Sequence, residues 1–359
     1  MNILVLEPYF GGSHKAFLRG LERHLPYRFH ILSLPARKWK WRMRLAAPYY
    51  AEMLRDKHRG FPADFDLILC STFVDVATLR SLLPDGFRTI PILTYFHENQ
   101  FAYPMQVYDE RDFHYPLTNF TTAMASDRLA FNSAYNLESF LEGCRLFFKK
   151  VPDMKISDYE EIIRAKAVIL HPALDFSQAD SGRVARREGA RVIVWNHRWE
   201  HDKNPEFFFN ALYQLQEQGR DFRLIVLGQS FHEQPAIFAE ARKKLADKIV
   251  HFGYAADRAE YFRLLHQGDI VVSTAVHEFY GIAVIEAVRC GCRPLLPNRL
   301  SYPELFGEEF LYEEENFMTT LTDLLQQPRR NENEESILTD RFSWPSLLPC
   351  YRQWFEARL

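Results

Sequence analysis

The sequence predicts an α/β protein of two doubly wound domains, each a parallel sheet covered by helices. The chain has 359 residues, too many for one ordinary core and comfortable for two. Across its first half, apolar runs of strand length alternate with longer amphipathic stretches, as strand–helix–strand units do. The alternation pauses over a polar segment and then restarts, which marks a second copy of the same architecture.

In the first half the expected strands are Ile3–Leu6, Arg28–Leu32, Asp66–Ser71, Ile90–Tyr95, Leu129–Asn132 and Ala167–Leu170. Helical patterns lie between them at Lys15–Arg23, Val74–Leu83 and Tyr135–Phe148. The opening Met1–Leu6 is apolar but has no basic leader and runs into Glu7-Pro8, so it reads as a buried strand rather than a signal peptide. Asp175–Ala190 shows little apolar periodicity and reads as a linker. The second half offers strands Arg191–Trp195, Phe222–Leu227, Ile249–Phe252, Asp269–Ser273 and Pro294–Leu296. Its helical patterns are Pro205–Gln218, Pro235–Leu245, Asp257–Leu265 and Gly281–Cys290. The expected organisation is therefore domain 1–175, linker 176–190, domain 191–345 and a closing helix 346–359 carrying Leu347, Tyr351, Trp354 and Phe355. Two such domains facing across a cleft would gather the carboxyl ends of both sheets around one ligand.

Composition narrows the class. Hydrophobic residues make up 47% and charged residues 25%, which removes disordered and collagen-like chains. No run approaches the ~20 apolar residues of a membrane span. Five cysteines with no CxxC pair argue against a disulfide framework or a zinc ribbon and fit the cytoplasm. The net charge of −3 conceals an asymmetry: residues 14–59 hold twelve Lys/Arg against three acids, whereas residues 181–359 hold 22 against 26. One end of the molecule is built to attract a polyanion.

The second half carries the segment TAVHEFYGIAVIEAVRCGCR, Thr274–Arg293. A strand ends, a loop bears Glu278, and Gly281 opens a helix bearing Glu286. The free N–H groups at such a helix start form an anion site, and glycine lets a phosphate come close. Glu286 lies about 7.5 Å further along the axis, a spacing that suits a nucleoside diphosphate with its ribose hydroxyls at Glu286 and a sugar at Glu278. Cations that would hold the diphosphate follow the strand Arg191–Trp195, in WNHRWEHDKN: Arg198 and Lys203. Taken singly, each of these residues reads as a surface charge. Together, around two strand ends, they read as one site. His197, His201 and His277 lie nearby and receive no role.

In the first half, EPYFGGSHK follows the first strand. Gly11-Gly12 permits a tight turn under a ligand, Ser13 is placed to cap a helix, and His14 is either a candidate for the acceptor side or an exposed helix histidine. At another strand end, YFHENQ offers His97, Glu98 and Asn99 as readers of hydroxyls. Asp127-Arg128 and Asn132-Ser133 read as structural. Arg37 to Arg44 packs five cations and two tryptophans into eight residues: Arg37, Lys38, Trp39, Lys40, Trp41, Arg42 and Arg44. Charges for phosphates and indoles for unpaired bases favour RNA over an anionic membrane, because the basicity continues to Arg59 without a long apolar face.

The pair E-x₇-E, preceded by R-x₄-K, resembles the donor half of retaining GT-B glycosyltransferases. The joint occurrence of EPYFGGSHK, LPARKWKWR, YFHENQ, FNSAYNLESF, NHRWEHDKNPE and HEFYGIAVIEA resembles, more narrowly, the queuosine-tRNA mannosyltransferase branch. The likeness runs from residue 6 to about residue 290. It implies a cytoplasmic, metal-independent, anomer-retaining enzyme that moves mannose from GDP-mannose to the cyclopentenediol of queuosine in a tRNA anticodon. It also implies roles. Arg198 and Lys203 hold the diphosphate with Gly11, Gly12, Tyr280, Gly281 and Ile282, Glu286 holds the ribose, and Glu278 and His97 contact the transferred sugar. Many GT-B members have glycine before the arginine, where this chain has Asn196-His197. The competing readings are a GT-B transferase acting on a lipid or polysaccharide, a sugar-nucleotide epimerase, and an RNA-binding module without activity. Partners expected are the nucleotide sugar and tRNA, with no stable membrane association.

Overall fold

The computed structural model describes residues 1–56, 64–103, 113–183, 188–229, 235–329 and 332–357. They form two compact units, Met1–Ala173 with Leu347–Leu359, and Leu174–Ser346.

The first unit is a six-stranded parallel sheet: β1 Asn2–Phe10, β2 Arg28–Pro35, β3 Leu67–Ser71, β4 Ile92–Phe96, β5 Arg128–Phe131 and β6 Ala167–Ile169, in the order β2-β1-β3-β4-β5-β6. Its central strands are buried end to end, which is why they appear in sequence as unbroken apolar runs rather than alternating ones. The second unit repeats the plan with β7 Arg191–Asn196, β8 Phe222–Leu227, β9 Ile249–Gly253, β10 Ile270–Val272, β11 Arg293–Pro297 and β12 Leu311–Tyr312, in the order β12-β11-β10-β7-β8-β9. Connections leave in opposite directions on either side of β1/β3 in the first sheet and β7/β10 in the second. At such a reversal the loops diverge and open a crevice beyond the carboxyl ends of the strands.

Four expectations are corrected. First, β1 does not stop at Leu6 but runs to Phe10, and the next helix, Gly12–His24, begins at once. Gly11 is its N-cap and Ser13 lies exposed inside it, so Ser13 caps nothing. Second, the basic segment is the start of a helix, Trp39–Arg55, that does have an apolar face: Met43, Ala46, Ala47, Tyr50, Ala51 and Leu54 are buried against the sheet. The heptad-like spacing is hidden in sequence by the charges interleaved with it. The end of that basic run, Lys57 and Arg59, lies outside the described residues.

Third, the expected linker is largely structure. Leu174 to Ser181 belong to the second unit, where Phe176 and Ala179 enter its core and Asp180 pairs with Arg289 at 2.7 Å; residues 184–187 of it lie outside the described residues. Fourth, the closing helix starts earlier, at Trp344, and from Leu347 onward it belongs to the first unit. There the Tyr351 hydroxyl donates to the His171 carbonyl at 2.8 Å, and the Arg128 guanidinium donates to the Trp354 carbonyl.

Candidate active site

Each unit gathers its chemistry at the reversal of its strand order. In the second unit Lys203 ends a short 3-10 turn after β7. Asn204, at φ 50°, closes that turn and caps the helix Pro205–Glu217 through its side chain. The Lys203 ammonium is buried. It donates to the His277 carbonyl at 2.5 Å and pairs with Asp202 at 3.1 Å and Glu278 at 3.4 Å. The two loops are laced together: the N–H groups of Val276 and His277 donate to the Asp202 carbonyl, and the Thr274 hydroxyl donates to the Lys203 carbonyl at 2.8 Å.

The charges around Lys203 act on one another. Burial opposes the charge on Lys203, but Glu278 and Asp202 outweigh it and raise its pKa. Burial would raise Glu278, yet Lys203, His197 and the Tyr280 N–H hold it at about 2. Burial and the Lys203 charge push His197 and His277 down to about 4, so both are neutral. The His197 ring bonds the Val272 carbonyl, and its Nε2 is buried without a partner among the described residues. Arg198 is more exposed and pairs with Glu200 at 3.0 Å, while its charge still acts on Lys203. The two cations share a neighbourhood but are unequal: one is buried and fixed, the other sits at the surface. His201 points to solvent and pairs with Glu206 at 3.8 Å.

The helix Ile282–Arg289 begins at Gly281, whose φ of 107° a side chain would strain. Among the described residues no side chain caps this N-terminus. Tyr280 is buried beside it, its carbonyl accepting from Ser301 at 2.8 Å, and Ile282 is half-buried. The expected role of Glu286 is to hold the ribose hydroxyls. Instead it is buried with both oxygens engaged, one by Arg258 at 2.7 Å and one by the Tyr261 hydroxyl at 2.6 Å. Asn196 in turn donates to the Tyr261 oxygen and to the Ala283 carbonyl. Arg258 and Tyr261 had no signal in the sequence, since their pairing with Glu286 spans 28 and 25 positions.

In the first unit, Gly11 is needed for a close approach: a Cβ there would stand 2.5 Å from that of Ala36. Gly12, at φ 50°, starts the helix that carries His14 inward. His14 is buried, with Nδ1 3.0 Å from Glu7 and Nε2 3.4 Å from Glu98. Glu7 also accepts from the Tyr9 N–H and the Ser71 hydroxyl, and Glu98 from the Thr72 hydroxyl. His97 lies against His14, ring centroids 4.0 Å apart. Ligand-capable atoms of Glu7, His14 and His97 fall within 4.8 Å of one another. Both His14 nitrogens already face carboxylates, so the arrangement is that of a hydrogen-bonded ion pair. Glu7 stands in the quoted motif, but only the tertiary contact gives it a role.

Asn99 is corrected to a scaffold residue. It is fully buried, donates to Asn136 and Ser139, and accepts from the Ala102 N–H, which holds the loop after β4 in place. Asp127 and Asn132 are structural as expected: Asp127 accepts from Arg80 and the Ile92 N–H, and Asn132 donates to the His97 carbonyl. The basic helix divides its aromatics. Trp39 turns in against Tyr115 at 5.1 Å, whereas Trp41 is 65% exposed. Arg37, Lys38, Lys40 and Arg44 are exposed, Arg44 lying over the Tyr115 ring; Arg42 is half-buried and reaches the Pro35 carbonyl at 3.4 Å.

A family model described as tRNA-queuosine alpha-mannosyltransferase N-terminal matches residues 2–174, and one described as glycosyl transferases group 1 matches residues 177–336. The tRNA-queuosine alpha-mannosyltransferase of Drosophila melanogaster is 37% identical over 373 residues, covering 100% of this chain and 97% of that protein. This chain belongs to the tRNA-queuosine alpha-mannosyltransferase family. It is a glycosyltransferase. A GDP-mannose-dependent phosphatidylinositol dimannoside mannosyltransferase of Mycobacterium tuberculosis is 29% identical over 110 residues, 31% of this chain and 28% of that one. Among solved structures, sucrose-phosphate synthase of Thermosynechococcus elongatus superposes with a TM-score of 0.73 at 14% identity, and HepE of Anabaena, solved with UDP, with 0.69 at 12%; each covers 100% of both chains. These neighbours give the family member its GT-B fold.

Proposed function

We propose that this protein moves mannose from GDP-mannose to a hydroxyl of the queuosine cyclopentenediol in tRNA, with retention of the anomeric configuration and without a metal. The full-length likeness to the Drosophila enzyme carries the reading. In the proposed step the acceptor oxygen bonds to the anomeric carbon on the face from which the diphosphate leaves. The bond from that carbon to the phosphate oxygen breaks, GDP departs, and a phosphate oxygen takes the hydroxyl proton. Lys203, Arg198 and the N–H groups at the start of Ile282–Arg289 meet the negative charge that grows on the diphosphate.

Glu278, ionised beside Lys203, accepts from the sugar hydroxyls. The exposed Arg37, Lys38, Lys40, Trp41 and Arg44 meet the tRNA. No helix among the described residues is long and apolar enough to cross a membrane, and the five cysteines form no disulfide among the described residues, which supports placement in the cytoplasm.

The test is mass spectrometry of tRNA nucleosides after incubation with the protein and a panel of sugar nucleotides. A hexose added to queuosine only with GDP-mannose bears the reading out. Transfer to lipid or polysaccharide instead, or tRNA binding without release of a nucleoside diphosphate from any donor, overturns it.

A further inference from the structure

We propose that His14 is a positioning residue: clamped as an imidazolium between Glu7 and Glu98, it keeps the adjacent His97 neutral, so that His97 can accept a hydrogen bond from a substrate hydroxyl. The inference rests on the transferase reading only for the source of that hydroxyl.

His14 and His97 lie nearly parallel, 4.0 Å apart and tilted by 30°, in a place that water hardly reaches. Two imidazoliums so close repel strongly when buried, so the pair holds one proton charge. Its location follows from the neighbours. Both His14 nitrogens face carboxylate oxygens, at 3.0 and 3.4 Å, and nothing hydrogen-bonds the His97 ring among the described residues.

His97 is instead walled by aromatics, Tyr95 at 4.6 Å and Phe17 edge-on at 5.0 Å, and it retains 7% of its surface open at the end of β4. Charge therefore settles on His14 and leaves a neutral ring whose nitrogens have no partner among the described residues, at the carboxyl end of β4, one strand from the reversal of strand order.

The surrounding groups agree with this assignment. Burial disfavours the charge on His14, but Glu7 and Glu98 overcome it and raise its pKa to about 10. Burial, and then the His14 charge, lowers His97 well below the usual histidine range. Among the described residues, the other ionisable groups facing the cluster include Tyr9 on β1, Tyr50 on the basic helix, Cys70 on β3 and Tyr95 on β4. Burial pushes Tyr50 and Cys70 up, so both stay neutral. Glu7 and Glu98 are the carboxylates in contact with His14, and they form its clamp.

The clamp makes a specific demand. If His14 loses its charge, His97 faces two carboxylates with no cation between, and His97 takes up the proton itself. The lone pair that would accept from a hydroxyl is then gone.

The experiment reads protonation directly, by NMR of the full chain with nitrogen-labelled histidine, so that it stands even if the acceptor proves different. Between about pH 5.5 and 8.5, His97 should stay neutral and His14 doubly protonated in the wild type. In His14→Gln, His97 should titrate inside that window. Glu7→Gln, which keeps the ring, should lower the His14 pKa and serves where His14→Gln does not fold. His14→Lys restores a cation and should return His97 to the neutral form.

Turnover supplies the second readout. His14→Gln should be about tenfold slower one pH unit below the new His97 pKa than well above it, while the wild type and His14→Lys stay flat. A wild-type His97 that titrates within the window, a neutral His14, a His14→Gln loss that is the same at every pH, or a metal ion bound stoichiometrically to the purified protein would each overturn the proposal.

Discussion

The two units bury a cation in the same way but obtain its charge differently. In each, a positive side chain at a strand-order reversal sits between two carboxylates with a neutral histidine beside it: His14 with Glu7, Glu98 and His97 in the first unit, Lys203 with Asp202, Glu278 and His197 in the second. A lysine is charged by its own chemistry, and its carboxylates mainly fix its place. A buried histidine is charged only because of its neighbours, so in the first unit the carboxylates create the charge as well as place it. The second unit accordingly keeps its cation at any physiological pH, as the proposed diphosphate site requires, and the first sets the hydrogen-bonding state of a histidine.

The sharpest way to break this comparison is Lys203→Ala. It removes the fixed charge and leaves Asp202 and Glu278 unbalanced, so release of nucleoside diphosphate should fall by about a thousandfold. The same change should cost roughly 3–5 kcal/mol of stability by denaturant unfolding. Lys203→Met separates the two effects if it folds well and remains inactive.

Next in size, Glu286→Ala should lower kcat/KM for the donor by about a hundredfold. Tyr261→Phe, which deletes one hydrogen bond to Glu286, should lower it by about tenfold or less, in line with the ~1–1.5 kcal/mol of one such bond; steady-state kinetics with varied donor decide this. Equal effects of the two would show that Glu286 acts only through its protein partners.

Alanine at Arg37, Lys38, Lys40 and Arg44 together should weaken tRNA binding and flatten its salt dependence, with the log–log slope falling by about 0.7–0.9 for each lost phosphate contact. Arg42 is left out because it is half-buried against Pro35. Trp41→Ala should weaken binding without changing that slope, and Trp39→Ala should lower stability instead, because only Trp41 faces solvent. An unchanged affinity in the four-alanine variant would separate the basic helix from the tRNA.

The smallest effect is on acid stability. Glu278 has a folded pKa held down at about 2, below its unfolded value, so its contribution is fully present above roughly pH 4.5. The contribution fades as pH falls from there towards 2. Glu278→Gln should therefore show a shallower loss of melting temperature across that window than the wild type does. A parallel course for the two would mean that Glu278 is not held by Lys203.

Much of the fold and part of the site were legible in the order of residues. Strands buried on both faces announce themselves as apolar runs, and β1, β3, β4, β7 and β8 fall where those runs lie. Lys203, Glu278 and Gly281 lie where the sequence places them, after a strand or at the opening of a helix, because such local geometry is written in local sequence. The three-dimensional pairings were not: Glu7 with His14 and Glu98, Arg258 and Tyr261 with Glu286, Trp39 turned in while Trp41 turns out. A charged residue carries no mark in the sequence of whether water or a distant partner will surround it. That depends on which strand ends the sheet order places side by side, and burial then decides which group keeps the proton.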